Sequence, residues 1–364
     1  MSESSRFDSF MGGKLIEQIR KKHGAKILIS ARDAQLRKVD RIPTGIFFLD
    51  YALGGGFPAA RTNIIWGHKS TGKTVICLKA LANVQKMCVS CYTFLIDGKC
   101  ECGKFRESVC AFLDVEGCWD EDWARCHGVD PDRLVLSTPE YAEQTLDMIE
   151  ALIRSGEVDF IVTDSIAFLS PENEIKESTG KSLQAEQARV LGRAIRKFGA
   201  ALNHLSNRKG RRPTLLFTNQ IRMKLGVMYG NPETQSGGLA PGFSATTETK
   251  TYGGKYVMDE NTGKPLYVDL SFRIEKNKSY GPRVEGTWRM ILADTKIHKK
   301  GDVYEEPAMV DMALRLGLVE KAGKSDVMYL GKTYKTKEGL VKKLIKDSVM
   351  RAEFVDSLRS VLRV

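Results

Sequence analysis

The sequence predicts an α/β protein built on a mostly parallel, twisted sheet with helices on both faces. Two observations carry that expectation. Short apolar segments alternate with helical ones from Thr62 onward, and a glycine-rich turn, GHKSTGKT, joins the first such strand to the first such helix. Strands that return through helices lie parallel and are covered on both faces, so they read as near-continuous apolar runs. The 364 residues, 42% of them hydrophobic, are enough for a buried core of that size.

The elements follow in order. Residues 11–23 read as a short basic amphipathic helix with Leu15, Ile16 and Ile19 near one face. RIPTGIFFLDYALGGGFPAAR gives a turn, a helix and a Gly-rich turn. The candidate core strands are TNIIWG, VCAFLDVE, RLVLST, DFIVTDS and TLLFTNQ. AEQTLDMIEALIRSG and LQAEQARVLGRAIRKFGAALNHLSNR read as intervening helices. Two more strands follow, PLYVDLSFRIEKNK and GTWRMILADTK. The expected division is an N-terminal helix and linker (residues 1–40), a core (41–297) carrying an insert at 86–106, and a small basic C-terminal α/β domain (298–364).

Composition narrows the class. No apolar run reaches the roughly 18 residues that a membrane span needs. The first residues show no apolar signal region, so the expected location is cytoplasmic. The eight cysteines are then expected as thiols or metal ligands rather than disulfides. Lys and Arg number 56 against 45 Asp and Glu, a formal charge of +11 that favours polyanions such as nucleic acid.

GHKSTGKT fits the phosphate-loop pattern G-x-x-x-x-G-K-[ST]. Its glycines let backbone N–H groups turn toward phosphates, and the following helix adds the positive end of its dipole. Gly67, His68, Lys69, Ser70, Thr71, Gly72, Lys73, Thr74 and Val75 are therefore the expected nucleotide-binding stretch. Lys73 would reach the β- and γ-phosphates, and the Thr74 hydroxyl would ligate Mg²⁺. A second metal acid is expected at Asp164, at the carboxyl end of the apolar run in DFIVTDS. Glu116, just past the apolar run of AFLDVEG, could take a proton from an attacking water.

The order of these motifs resembles the RecA family of DNA recombinases, including phage-encoded members. The resemblance covers roughly residues 40–290 and is most specific in TNQIRMKLGVMYGNPETQSGG, which looks like the family's second DNA-binding loop. FLDVEGCWDEDW, TDSIAFLSP and EKNKSYGP stand in the family's order. The resemblance implies a RecA-like ATPase core that binds ATP and Mg²⁺. Glu116 would be the catalytic glutamate, and Gln220 the γ-phosphate sensor. Asp120 and Trp123 would lie near the adenine, and Lys276 and Lys278 would reach a neighbouring subunit's ATP. It also implies helical filaments on single-stranded DNA, with homologous pairing and strand exchange into duplex. A hexameric helicase motor and a non-catalytic, ATP-controlled mediator are the alternatives.

The DNA path would use Arg222, Met223, Lys224 and Leu225 in the second loop, with the backbone of Gly237 and Gly238 on phosphates. Arg189, Arg193 and Arg196 recur at helical spacing and read either as a row of phosphate contacts or as a solvated helix face.

The chain departs from the family between the phosphate-loop helix and the next strand, where a short turn is usual. Here Cys88-x-x-Cys91 and Cys100-x-Cys102 stand eight residues apart. Two close cysteine pairs suit tetrahedral thiolate coordination of Zn²⁺, though the second is a residue tighter than the common spacing, and free cysteines in a mobile insert are the alternative. The insert would serve a partner, DNA or only the surface.

Overall fold

The computed structural model describes residues 14–23, 39–95, 98–100, 102–176, 184–206, 212–223, 232–281 and 284–362. Ten strands form the main sheet. They are β1 (Thr62–Gly67), β2 (Cys110–Asp114), β3 (Leu134–Ser137), β4 (Phe160–Asp164), β5 (Thr214–Met223), β6 (Glu233–Gln235), β7 (Thr247–Tyr252), β8 (Tyr256–Met258), β9 (Pro265–Asn277) and β10 (Glu285–Ile291). Their order is β8-β9-β7-β1-β5-β4-β2-β3, with β6 added to β5 and β10 to β9. From β7 to β3 every pairing is parallel, and the pairings of β6, β8 and β10 are antiparallel.

With the sheet go helices α1 (Lys14–His23), α2 (Phe47–Leu53), α3 (Lys73–Gln85), α4 (Glu121–Cys126), α5 (Ala142–Ser155), α6 (Gln184–Ser206), α7 (Ala240–Ser244), α8 (Glu306–Arg315), α9 (Lys337–Lys346) and α10 (Ser348–Leu362), and a further short helix spans Glu172–Lys176. Every residue of β2 and β4 is buried, as expected for central parallel strands. β3, at the edge, leaves Val135 and Leu136 exposed.

Strand alternation builds two cores on opposite faces. Ile65, Phe112, Val162 and Leu216 face one side and pack with Ile76, Ala80 and Leu81 of α3. Ile64, Leu113, Ile161 and Leu215 face the other. There they meet Leu146, Ile149 and Ile153 of α5, and Leu191, Ile195 and Phe198 of α6. Those spacings of three and four place each helix's apolar residues on one stripe. Fully burying each such large side chain contributes roughly 1.5–3 kcal/mol.

Register then positions the chemistry. Gly67 of β1 pairs with Gln220 of β5, and Asp114 of β2 pairs with Asp164 of β4. The carboxyl ends of four strands therefore open onto one edge, where parallel α/β sheets bind ligands.

The expected strands appear with small changes at their ends: TNIIWG is strand throughout, TLLFTNQ continues to Met223, and GTWRMILADTK is strand only as far as Ile291. Sequence reading missed β7, TETKTY, because its polar residues do not look like a central strand. It lies between β1 and β9, with Thr247, Thr249, Lys250 and Thr251 buried.

After β10 comes a smaller α/β unit. β11 (Glu320–Lys321), β12 (Val327–Tyr329) and β13 (Lys332–Tyr334) form an antiparallel sheet. With α8, α9 and α10 it encloses Met309, Val310, Leu340, Leu344, Phe354 and Leu358. Phe47 of α2 joins this core, and Glu305 accepts hydrogen bonds from the N–H groups of Phe47 and Phe48 at 2.8 and 3.2 Å. Burial raises the Glu305 carboxyl to about 8. No helix among the described residues is long and apolar enough to cross a membrane.

Candidate functional site

The loop between β1 and α3 takes the shape its glycines allow. Gly72 has φ +82°, a left-handed conformation that favours glycine, and a Cβ there would lie 2.8 Å from Leu270 Cδ1. Thr71 Oγ1 donates to the His68 carbonyl at 2.8 Å, folding the loop back on itself. Lys73 Nζ donates to the same carbonyl at 2.7 Å, which turns its ammonium back under the loop. The 13-residue helix α3 begins at Lys73, so its unpaired N–H groups face the cavity.

That cavity is about 360 Å³ and is lined by Lys69 to Val75, Glu116, Asp164, Gln220, Tyr256 and Leu270. Asp164 sits at its floor. Its Oδ2 accepts from Thr74 Oγ1 at 2.5 Å, and its Oδ1 accepts from Thr218 Oγ1. Gln220 Nε2 donates to Glu116 Oε1 at 3.3 Å. The expected residues Lys73, Thr74, Glu116, Asp164 and Gln220 thus converge, although they come from four separate elements.

The electrostatics follow from burial. Desolvation pushes the Lys73 ammonium below its ordinary value, against the opposing pull of Asp164 and Glu116. Burial raises the Asp164 carboxyl, while bonds from Thr218 and Thr74 work the other way. Burial also raises Glu116, reinforced by repulsion from Asp164. A hydroxyl beside a carboxylate offers hard oxygen ligands of the kind Mg²⁺ takes, and the cradle has the donor set for phosphate.

Asp120 and Trp123 stand apart from that lining. Asp120 caps α4 by accepting from the Trp123 N–H at 2.9 Å. The Trp123 ring meets His127 edge-on, and Lys300 Nζ lies 5.1 Å from its centroid. Lys276 and Lys278 border a different part of the surface. Both donate to the Phe243 carbonyl, at 3.2 and 3.4 Å. Lys276 also lines a cavity of about 670 Å³ beside Leu239 and Phe243, which are both exposed.

On α6, Arg189, Arg193 and Arg196 are exposed, as are Arg222 and Met223 at the end of β5. Lys224 and Leu225 lie outside the described residues. Gly237 and Gly238 both have left-handed φ, near +80°. A Cβ on Gly237 would lie 2.5 Å from Leu191 of α6, so this glycine pair and the arginine-bearing helix are packed together.

The four cysteines of the insert also converge. A short antiparallel pair, Met87–Cys88 with Thr93–Phe94, turns Cys88 and Cys91 toward one point. Cys88 Sγ lies 3.7 Å from Cys102 Sγ, and Cys100 Sγ lies 3.3 Å from Cys91 and 3.2 Å from Cys102. All four ligand atoms fall within 4.8 Å of one another. These separations exceed a disulfide bond and approach the roughly 3.8 Å between thiolates each 2.3 Å from a tetrahedral Zn²⁺. The backbone N–H groups of Cys102 and Lys104 point at Sγ atoms of the cluster, at 3.5 and 3.4 Å. Cys77 and Cys110 are buried, while Cys118 and Cys126 are exposed and outside the cluster.

Sequence reading missed Thr218, Glu233 and Lys250. A threonine inside the apolar run TLLFTNQ was a usable signal for the first, because a buried hydroxyl needs a partner. The other two needed the fold.

A mostly parallel sheet carrying a phosphate loop, an acid at the end of β4 two strands along and a glutamate beside it defines a P-loop nucleotide-binding protein. Comparison with known proteins then places the chain more closely. The family model for the RecA N-terminal domain matches residues 13–294. Protein RecA of Petrotoga mobilis is 34% identical over 307 residues, covering 84% of this chain and 76% of its own. Protein RecA of Francisella philomiragia is 32% identical over 345 residues, covering 94% and 86%. The chain belongs to the RecA family.

One substitution tests the local geometry. Gly72→Ala should strain the left-handed position and crowd Leu270, lowering stability by about 1–2 kcal/mol, read as a reduced thermal midpoint.

Proposed function

We propose that this chain is an ATP-dependent homologous recombinase that assembles as a helical filament on single-stranded DNA and exchanges strands with duplex. One observation carries the reading. Gln220 touches Glu116 at the nucleotide edge and lies on β5, the strand that leads to the candidate second DNA loop. Nucleotide and DNA would thus act on one strand.

Lys73 and the backbone of residues 67–75 hold the ATP phosphates, and Asp120 and Trp123 lie on the adenine side. Thr74 and Asp164 hold Mg²⁺, which offsets phosphate charge. Glu116 accepts the proton of the attacking water, and Gln220 responds to the γ-phosphate. Lys276 and Lys278 act on a neighbour's ATP. Arg189, Arg193, Arg196, Arg222 and Met223, with Lys224, Leu225 and the Gly237–Gly238 backbone, line the DNA path.

On the same reading, residues 1–40 serve polymerisation, 41–297 form the ATPase core, and 298–364 offer a basic surface to duplex. The expected setting is cytoplasmic. The four thiols of residues 86–106 hold Zn²⁺, which organises an insert too short for a core of its own.

Glu116→Gln should retain ATP and DNA binding and lose most turnover, because the base goes and the cradle stays. Lys73→Ala should lose both nucleotide response and strand exchange. Strand-exchange assays with hydrolysable and non-hydrolysable ATP check both, and normal hydrolysis by Glu116→Gln would remove the assignment.

Lys276→Ala combined with Lys278→Ala should bind ATP as free protein yet show little DNA-stimulated hydrolysis. Mixing it with a phosphate-loop variant should restore activity. Full activity of the double variant alone would end the neighbour-acting role.

Protein purified without added metal should contain about one Zn²⁺ per chain with four sulfur ligands near 2.3 Å, by elemental analysis and X-ray absorption. Cys91→Ser should lose the metal and still bind ATP. Near-zero zinc with four freely reactive thiols would leave the insert an ordinary loop.

A further inference from the structure

Lys276 and Lys278 sit at the end of β9, and among the described residues the sheet supports that end on one side only. Toward β7, Lys276 pairs with Glu248 and Asn277 with Thr247, and the Lys278 N–H donates to the Thr246 carbonyl at 3.0 Å. Toward β10, the register stops at Arg273 opposite Glu285, with one further bond from the Ile274 N–H to the Val284 carbonyl at 2.9 Å. Residues 275–279 therefore run on past β10. Side chains alternate along a strand. Lys276 and Lys278 turn together toward the Phe243 carbonyl, while Asn277 and Ser279 turn the other way.

On that other side the segment is held by Arg41. Its Nη2 donates to the Ser279 carbonyl at 2.9 Å. Its Nη1 donates to Ser279 Oγ at 3.1 Å, to the Leu53 carbonyl at 3.0 Å and to the Gly56 carbonyl at 3.4 Å. Asn277 completes the contact. Its Nδ2 donates to the Leu53 carbonyl at 3.4 Å, and its Oδ1 accepts from the Ser279 N–H and Oγ, both at 3.0 Å. The Tyr280 ring lies against Gly54, in space that a Cβ there would fill. One planar guanidinium thus joins the turn after α2 to a segment 238 residues away in sequence. Arg41 is itself fixed, since Arg41 and Ile42 pair antiparallel with Pro58 and Phe57.

We propose that Arg41 is a positioning residue for Lys276 and Lys278. It clamps the segment that carries them to the turn after α2, so that both ammonium groups reach the neighbouring subunit's nucleotide from a fixed place. The proposal rests on those lysines acting on a neighbour's ATP. A plainer role for Arg41, satisfying the carbonyls at the end of α2, explains its bonds to Leu53 and Gly56. It does not explain why the second nitrogen goes to the Ser279 carbonyl.

Mixed assemblies give the test, because the two halves of such a site come from different chains. Arg41→Ala should bind a non-hydrolysable ATP analogue as free protein with wild-type affinity. Its DNA-stimulated turnover should fall about 10–100-fold, the scale of a displacement near 1 Å. Mixed with Lys73→Ala, which keeps its own Lys276 and Lys278, it should regain turnover, since its nucleotide site is intact. Mixed with the Lys276→Ala, Lys278→Ala double variant it should regain none, because neither chain then presents the lysines in place. Arg41→Lys keeps the charge but offers one nitrogen for both sides of the clamp. It should show a smaller loss with the same mixing pattern, and it decides the matter if Arg41→Ala folds poorly. Wild-type turnover in Arg41→Ala, no recovery with Lys73→Ala, or recovery with the double variant would each overturn the proposal. Loss of analogue binding in both Arg41 variants would make Arg41 a structural prop and overturn it too. Full activity of the lysine double variant alone would instead remove the reading on which the proposal rests.

Discussion

The nucleotide edge depends on one buried carboxylate. Asp164 is 6% exposed, and its two oxygens are held by hydroxyls from different elements, Thr74 on the phosphate-loop helix and Thr218 on the next strand. A carboxylate so placed is costly to bury without partners, and its partners must arrive in register. The parallel pairing of β4 with β5 and the docking of α3 beneath the loop supply that register. Glu116, Gln220 and Lys73 take their places relative to the same point. The apolar faces above and below the sheet can be seen as what holds these three elements to within hydrogen-bond reach.

Much of this was legible because its signals are local. The fully buried strands CAFLD and FIVTD are continuous apolar runs, and Leu146, Ile149 and Ile153 mark a helical stripe. The phosphate loop is read from spacing alone, since its glycines and lysine act within eight residues of one another. The cysteine cluster is similar, as its ligands lie within fifteen positions and their convergence follows from a single short hairpin.

The parts that escaped are those whose partners are remote. Thr-Glu-Thr-Lys-Thr-Tyr reads as exposed, yet Thr247 Oγ1 meets Asn63 Oδ1 at 2.8 Å and Thr251 Oγ1 meets Thr71 Oγ1 at 2.7 Å, across 184 and 180 residues. Threonine is β-branched and suits a strand once its hydroxyl is satisfied. Lys250 is tolerable there only because Glu233 and two aromatic rings surround it. Nothing within a local window announces such compensation, and so the strand beside the phosphate loop stayed hidden.

The cysteine hairpin joins the tail of α3 to the start of β2, beside Asp159, which receives Arg106 at 2.9 Å and the Val109 N–H at 2.9 Å. That is the amino end of the sheet, the side away from the phosphates. A crossover connection there can lengthen without altering strand order or the ligand-binding rim. The same position makes this hairpin a natural grafting point. A fluorophore, an affinity handle or a second small domain joined at its exposed tip near Gly98 would extend away from the phosphate-loop rim and leave the topology of the main sheet intact.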